Sequence, residues 1–402
     1  MTRMGAFTPV RLETAKRLTA LQELQILRNA LAHSPGSRDL RGRFVEVANQ
    51  CDCYRETLAV LAEASDIDFT EAMMRVRALL ALEEPNATLD ACSASNFALS
   101  LARNDADRAV ALADRGKAER RLELPEARDT LIRALELDSH NKDACKRLAA
   151  LHFSRNDPEA ALAMTDTLAK LGVGHSRLIA ARVVALARLG KIDAAREADG
   201  LERLQLRLSL PPPPGWNSRE EFNAALAAEL LAHPALHLER YGSASYRTLR
   251  IDSVISDAAP LARQLLAQIA AIAESHVAAI SAIDHLMIRV RPPALTLHSW
   301  CAIVDDDGFE TWHVHQRGWM SGVYYPAAPE AVATATDERG HIAFGLPEDL
   351  VGEQTAREFG IQLVRPEPGM LILFPSHTYH RTFPHRADGR RICIAFDFWP
   401  GR

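Results

Sequence analysis

Three histidines give this sequence its chemistry. Seven of the fifteen histidines lie between His298 and His385. Trp312-His313-Val314-His315 sets two imidazoles two positions apart, and on a strand that spacing points both at one face. The third, His380, ends the run Phe374-Pro375-Ser376-His377-Thr378-Tyr379-His380, just past an apolar strand. Two ligands from one strand and a third from a distant one make a mononuclear metal site with open positions. Imidazole suits iron, zinc, copper or nickel, so ligand type alone does not choose the metal. Beyond His380, Arg391 enters the apolar run Ile392-Cys393-Ile394-Ala395-Phe396. Pointed inward, its guanidinium needs an anionic partner, and the rigid fork suits a carboxylate held bidentately. Pointed outward it sits in solvent, as its neighbour Arg390 is expected to do.

Other residues have weaker claims. His377 is expected on a loop, either at the site entrance or at the surface. His298 has a strand parity that could face inward, and His385, after Pro384, is expected in solvent. Trp312 and Trp319 flank the histidine pair and either wall a substrate pocket or belong to the core. A zinc hydrolase would need a carboxylate base beside the pair; Glu310 is the close candidate, at an awkward spacing.

Taken together, several segments resemble the 2-oxoglutarate- and Fe(II)-dependent oxygenases. They are His313-Val314-His315-Gln316-Arg317-Gly318-Trp319, Ser321-Gly322-Val323-Tyr324-Tyr325, Phe374-Pro375-Ser376 with His380, and Arg391 with Cys393-Ile394-Ala395-Phe396. More narrowly, the chain is similar to a bacterial group in which tetratricopeptide repeats precede the oxygenase domain. The motifs span about residues 298–399. The resemblance implies a double-stranded β-helix (jelly roll) in which His313 and His380 bind Fe(II). His315 would stand where most of the superfamily carries Asp or Glu. It further implies that Arg391 holds the distal carboxylate of 2-oxoglutarate and that O2 takes the remaining site. 2-Oxoglutarate would be decarboxylated to succinate as the substrate is hydroxylated. Tyr324 or Tyr325, whichever faces inward, would add a hydrogen bond to the cosubstrate. Cys393 occupies a position often held by Ser or Thr, and a thiol donates only weakly.

The pattern departs from the usual two histidines and one carboxylate. A neutral His315 leaves the metal centre one unit more positive, so either the metal is bound less tightly or His315 does not ligate. Asp305, Asp306 and Asp307 could supply the missing carboxylate, or one of them could stand behind a ligating histidine and fix its tautomer.

The elements that must position these residues fall into two compositional halves. All five tryptophans, and all but one tyrosine, follow residue 210, while every lysine precedes it. Pro211-Pro212-Pro213-Pro214-Gly215 lies between, a stiff stretch ending in a turn, so the boundary is placed there: 1–210 and 211–402. The first half reads as helix, broken at Ser34-Pro35-Gly36-Ser37, Asn156-Asp157-Pro158 and Leu189-Gly190-Lys191. Helix starts recur at Pro125-Glu126-Ala127, Pro158-Glu159-Ala160 and Ile192-Asp193-Ala194, at tetratricopeptide spacing. Such an array, over about residues 15–205, offers a curved surface for a peptide, or else braces the second domain or forms a homodimer. Helices are expected over Glu220–Leu231 and Pro260–Ala282. Short strands follow at Leu286–Val290, Leu295–Val304, Met320–Tyr325, His341–Phe344, Met370–Phe374 and Ile392–Phe398, as in an antiparallel sandwich or barrel. The fold class is therefore α+β: helical repeats, then a double-stranded β-helix with packed helices.

A chain of 402 residues is long for one domain. Its net charge of -5 argues against a dedicated nucleic-acid binder. Met1–Phe7 lacks the apolar stretch of a secretory signal, no apolar run is expected to reach the ~20 residues of a membrane span, and six scattered cysteines read as reduced thiols, so a cytoplasmic location is expected. The function expected is a dioxygenase hydroxylating a peptide or protein residue. Its competitors are a small-molecule hydroxylase and a tetratricopeptide scaffold without turnover.

Overall fold

Asn141 and His175 stand one repeat apart and do the same job. Asn141 Oδ1 accepts from Ala144 N at 2.9 Å and starts the helix Lys142–Ser154. His175 Nδ1 accepts from Leu178 N at 3.1 Å and starts Ser176–Arg188. Between them run Pro158–Lys170 and, on either side, Ala127–Leu137 and Ile192–Asp199, the alternating pairs that the period predicts. Leu131, Leu135, Leu148, Leu151 and Leu168 are buried as expected. Close helix approach needs small residues: a Cβ at Gly116 would stand 2.6 Å from Leu131, so the helix Asp105–Arg121 meets Ala127–Leu137 only with glycine there.

The computed structural model describes residues 8–15, 18–239 and 244–401; the reading of Met1–Phe7 lies outside them. The chain forms two compact units, one of residues 18–164 and one of residues 1–17 with 165–402. This division differs from the compositional boundary at 210. The later helices and Leu206–Ser209 belong with the β domain, because Leu206–Ser209 is itself a strand of its sheet.

The described strands are β1 (Val10–Leu12), β2 (Leu206–Ser209), β3 (His237–Leu238), β4 (Ser245–Ile251), β5 (Leu295–Glu310), β6 (Met320–Ala327), β7 (Ile342–Phe344), β8 (Gln362–Val364), β9 (Met370–Pro375), β10 (His380–Thr382) and β11 (Arg391–Pro400). The larger sheet runs β2-β9-β6-β11-β5-β4-β3, with β1 parallel to β5; the smaller is β10-β7-β8. Val323, Tyr325, Ile372 and Phe374 of the larger sheet pack on Ile342, Phe344 and Val364 of the smaller. Two facing sheets with antiparallel pairing on the main path are the jelly roll that the motifs imply.

Two expectations change. Leu286–Arg289 is a helical turn, not a strand: His285 caps it, its Nδ1 accepting from Met287 N at 3.2 Å. A short apolar run cannot be told from a buried helix by its pattern. Pro260–Ala282 is also long and apolar enough to cross a membrane by length and composition, contrary to the reading that no run approaches that length. In this fold Leu265, Leu266, Ile269, Ala273 and Val277 are buried. Glu229 accepts from Leu261 N and Ala262 N, and Glu274 from Val10 N.

Candidate metal centre

Strand register sets which side chains meet. On β11 and β5, Arg391 opposes Val304, Cys393 Ala302, Ala395 Trp300 and Asp397 His298. In-register neighbours share a face, so Arg391, Cys393, Ala395, Asp397 and Trp399 line one side of the sheet in order. Ala395 opposes Val323 on β6, which puts Tyr325 on that face and Tyr324 on the other. Tyr324 donates its hydroxyl to Asn223 Oδ1 at 2.6 Å, under the helix Arg219–Leu231. Burial pushes its phenol up to about 12, against the pull of Asn223. Tyr325 instead lines a cavity with His315, His380, Glu310, Arg391 and Cys393.

The His313–His315 segment is not a regular strand. It leaves the end of β5 and joins β10 by a single bridge, in which the backbones of His313 and His380 exchange two hydrogen bonds of 3.0 Å. His315 N then donates to Ser376 O at 2.9 Å. A side chain at Gly318 would run into the Ser376 hydroxyl, so the glycine lets this segment close down. The three rings converge, with centroids 5.3, 4.2 and 4.8 Å apart.

Each ring is held by its Nδ1. That of His313 bonds Thr311 O at 2.7 Å, that of His380 bonds Thr378 O at 3.1 Å, and that of His315 bonds Asp397 Oδ1. A carbonyl only accepts, so Nδ1 of His313 and His380 carries the proton and Nε2 keeps a lone pair. One ligand atom from each histidine lies within 4.8 Å of the others. This donor set fits a metal ion with open positions.

The electrostatics follow from burial and neighbours. Burial, then His313 and His315, hold His380 well below its usual value. Burial also lowers His313, although Glu310 opposes it. Burial would lower His315 too, but Asp397 outweighs it and the net shift is upward. For Asp397 burial would raise the carboxyl, while His315, Ser321 and Trp399 hold it below its usual range. Ser321 Oγ donates to Asp397 at 2.7 Å. Asp397 is therefore the carboxylate behind His315. Asp305 and Asp307 instead face solvent and pair with Arg390 and Arg247, and Asp306 is exposed.

Arg391 is buried, 3% exposed. It donates to Gly340 O at 2.9 Å, Phe383 O at 3.3 Å and Thr382 Oγ1 at 3.1 Å. All three acceptors are neutral, and among the described residues no carboxylate forms an ion pair with it. Cys393 lies on the same face, its thiol pushed up to about 12 by burial first and Glu310 second. Glu310 also lines the cavity; burial would raise its carboxyl, but His313, Arg391, His315 and Arg250 together keep it low. The free volume is about 30 Å³, room for a water rather than a dicarboxylate, so entry of a larger ligand requires lining side chains to move.

Of the weaker candidates, His298 shares the sheet face of Arg391 but bonds Glu13 at 3.0 Å and is not one of the three convergent histidines. His377 is not at an entrance: it is 2% exposed and its Nε2 donates to Asp199 O at 2.8 Å. His385 is fully buried rather than solvated, with Nε2 3.2 Å from Val304 O. Trp319 is core, donating to Met287 O, while Trp312 donates to Glu348. The sequence reading missed Asp397 and Trp300. The signal for Asp397 was available: it shares the parity of Arg391 in an otherwise apolar strand.

The jelly roll thus brings three convergent imidazoles, a donor set that could hold a metal ion, together with a buried arginine whose partners among the described residues are all neutral. Residues 298–397 match the family described as putative 2OG-Fe(II) oxygenase, a description that names both Fe(II) and 2-oxoglutarate. No curated protein matches the chain. Among solved structures, a Pseudomonas putida prolyl-4-hydroxylase is 17% identical over 54% of this chain and 100% of its own, with a TM-score of 0.33. A thermophilic tetratricopeptide protein of Thermus thermophilus is 18% identical over 38% of this chain and 82% of its own, with a TM-score of 0.31. HygX of Streptomyces hygroscopicus, solved with nickel and 2-oxoglutarate, is 15% identical over 49% of this chain and 84% of its own, with a TM-score of 0.33. Identity and score are low in all three, and the likeness to the oxygenase family rests on the sequence match of residues 298–397.

Proposed function

We propose that this chain is a dioxygenase that hydroxylates a residue of a peptide or protein, with His313, His315 and His380 holding Fe(II) and Arg391 holding the distal carboxylate of 2-oxoglutarate. The observation that carries it is one cavity lined by two of three convergent imidazoles and by a buried guanidinium that has only neutral partners. Bound there, the metal and cosubstrate supply oxidative decarboxylation to succinate and the oxidising power for hydroxylation. The chain's own residues do the rest. Thr311 O, Thr378 O and Asp397 orient the ligand rings. Thr382 and two carbonyls hold the Arg391 fork in place for a carboxylate. Tyr325 and Cys393 complete the cosubstrate wall. A peptide substrate is supported by the helical pairs, whose stacking offers an extended surface.

The test is succinate release from 2-oxoglutarate by the purified protein with Fe(II) and O2, alongside mass spectrometry of a peptide mixture. Succinate together with peptides heavier by one oxygen supports the whole reading. Succinate with oxygen found only in small molecules would keep the chemistry and overturn the peptide. No succinate under any condition overturns the enzyme.

A further inference from the structure

The sheet face that carries Arg391 at one end opens at the other into a second, larger cavity of about 490 Å³. His298, Trp300, Gln316, Arg317, Asp397 and Trp399 line it. Trp300 also lines the inner cavity, and its ring lies 5.4 Å from that of His315. Trp300 thus stands between the two chambers, and His315, which lines the inner one, is bonded to Asp397 in the wall of the outer one; of the two, the outer has the room for a substrate group.

The charges of the outer chamber are unevenly satisfied. Glu13 accepts from Ser253 Oγ, Ser299 N and His298 Nδ1. Asp252 pairs with Arg250 at 2.9 Å, and Asp397 is held by His315. Each wall carboxylate therefore has its partner. Arg317 does not: among the described residues no carboxylate pairs with it. It lies over the ring of Trp399, 5.2 Å from the centroid, and His298 stacks on that ring at 3.8 Å. A guanidinium held by an aromatic face keeps its edge donors free for a planar anion. Arg317, an exposed residue, also sits two positions after His315, in the segment that carries two of the three proposed metal ligands.

We infer that the outer chamber is the substrate pocket and that it takes a carboxylate-bearing substrate, anchored by Arg317. This rests on the oxygenase reading above and adds the chemical class of substrate to it. On the peptide reading, the group is the side chain of Asp or Glu.

The experiment loads the whole protein anaerobically with Fe(II) and 2-oxoglutarate and follows the visible chelate band. Acetylated, amidated pentapeptide pools are then added with Asp, Glu, Asn or Lys fixed at the centre and mixed residues elsewhere. The Asp and Glu pools are expected to perturb the band at concentrations at least about tenfold lower than the Asn and Lys pools. Arg317→Gln should lose that preference, and Arg317→Lys should keep part of it, with the 2-oxoglutarate titration unchanged in both. Competition by free L-aspartate as strong as by the pools would keep the carboxylate and make its source a small molecule. Equal response to all pools, or a preference that survives Arg317→Gln, overturns the inference. So does weakened 2-oxoglutarate binding in Arg317→Gln, which would give the arginine to the cosubstrate. Absence of the band in the wild-type protein would instead sink the oxygenase reading itself.

Discussion

His315 and Asp397 share a hydrogen bond between Nδ1 and Oδ1 inside the β domain, so the negative charge that an H-x-H pattern lacks lies one bond behind the imidazole. A carboxylate in that place orients the ring and raises the basicity of its free nitrogen. Asp397→Asn should therefore weaken metal binding by about 10- to 100-fold while the sheet stays folded. Anaerobic metal titration of the apoprotein reads this, and an unchanged Kd would remove Asp397 from the account.

Arg391 is the clearest separation of cosubstrate from metal. Arg391→Ala removes the buried fork, and loss of one partner of a buried charge pair costs about 2–5 kcal/mol. 2-Oxoglutarate affinity should fall by at least about 30-fold, with metal affinity close to that of the wild type. Turnover at wild-type cosubstrate levels would contradict the assignment.

The two tyrosines should part company. Tyr324→Phe leaves Asn223 without its 2.6 Å bond and should cost about 1–2 kcal/mol of stability, with no effect on the cosubstrate. Tyr325→Phe should do the reverse. Thermal unfolding and 2-oxoglutarate titration, run on both variants, distinguish them.

Much of this site was legible in the sequence. Residue types and spacing named His313, His315, His380 and Arg391, and the structure brings these onto one cluster and one sheet face. What escaped depended on pairing between distant strands. The inward face of β6 decides between Tyr324 and Tyr325, and it is fixed by β11 across the sheet. Asp305, Asp306 and Asp307 were nearest in sequence, yet β5 carries them past the site into solvent. The repeat helices were readable from their period, but the compositional boundary was not a structural one, because Leu206–Ser209 pairs with β9.

Asp199 offers a pH test away from the metal. Burial pushes its carboxyl from 3.8 up to about 7, against the pull of Thr378 and Leu201 N–H. The folded protein therefore keeps a proton that the unfolded chain loses between about pH 4 and 7. Stability from this group falls as pH rises through that window, by up to about 1.4 kcal/mol per unit, and is flat above it. Buried histidines such as His377, lowered to about 3 mainly by burial, act in the opposite sense. The readout is accordingly the difference between Asp199→Asn and wild type. The variant should gain relative stability from pH 4 to 7 in denaturant unfolding; a pH-independent difference would contradict the shifted carboxyl.

The most direct test of the central claim is anaerobic visible absorption of the protein titrated with Fe(II) and 2-oxoglutarate, in the wild type and His315→Ala. The account predicts a charge-transfer band that needs both additions and is lost or much weakened in the variant. Iron binding without a band in the wild type would contradict the cosubstrate site, and an undiminished band in His315→Ala would remove His315 from the metal.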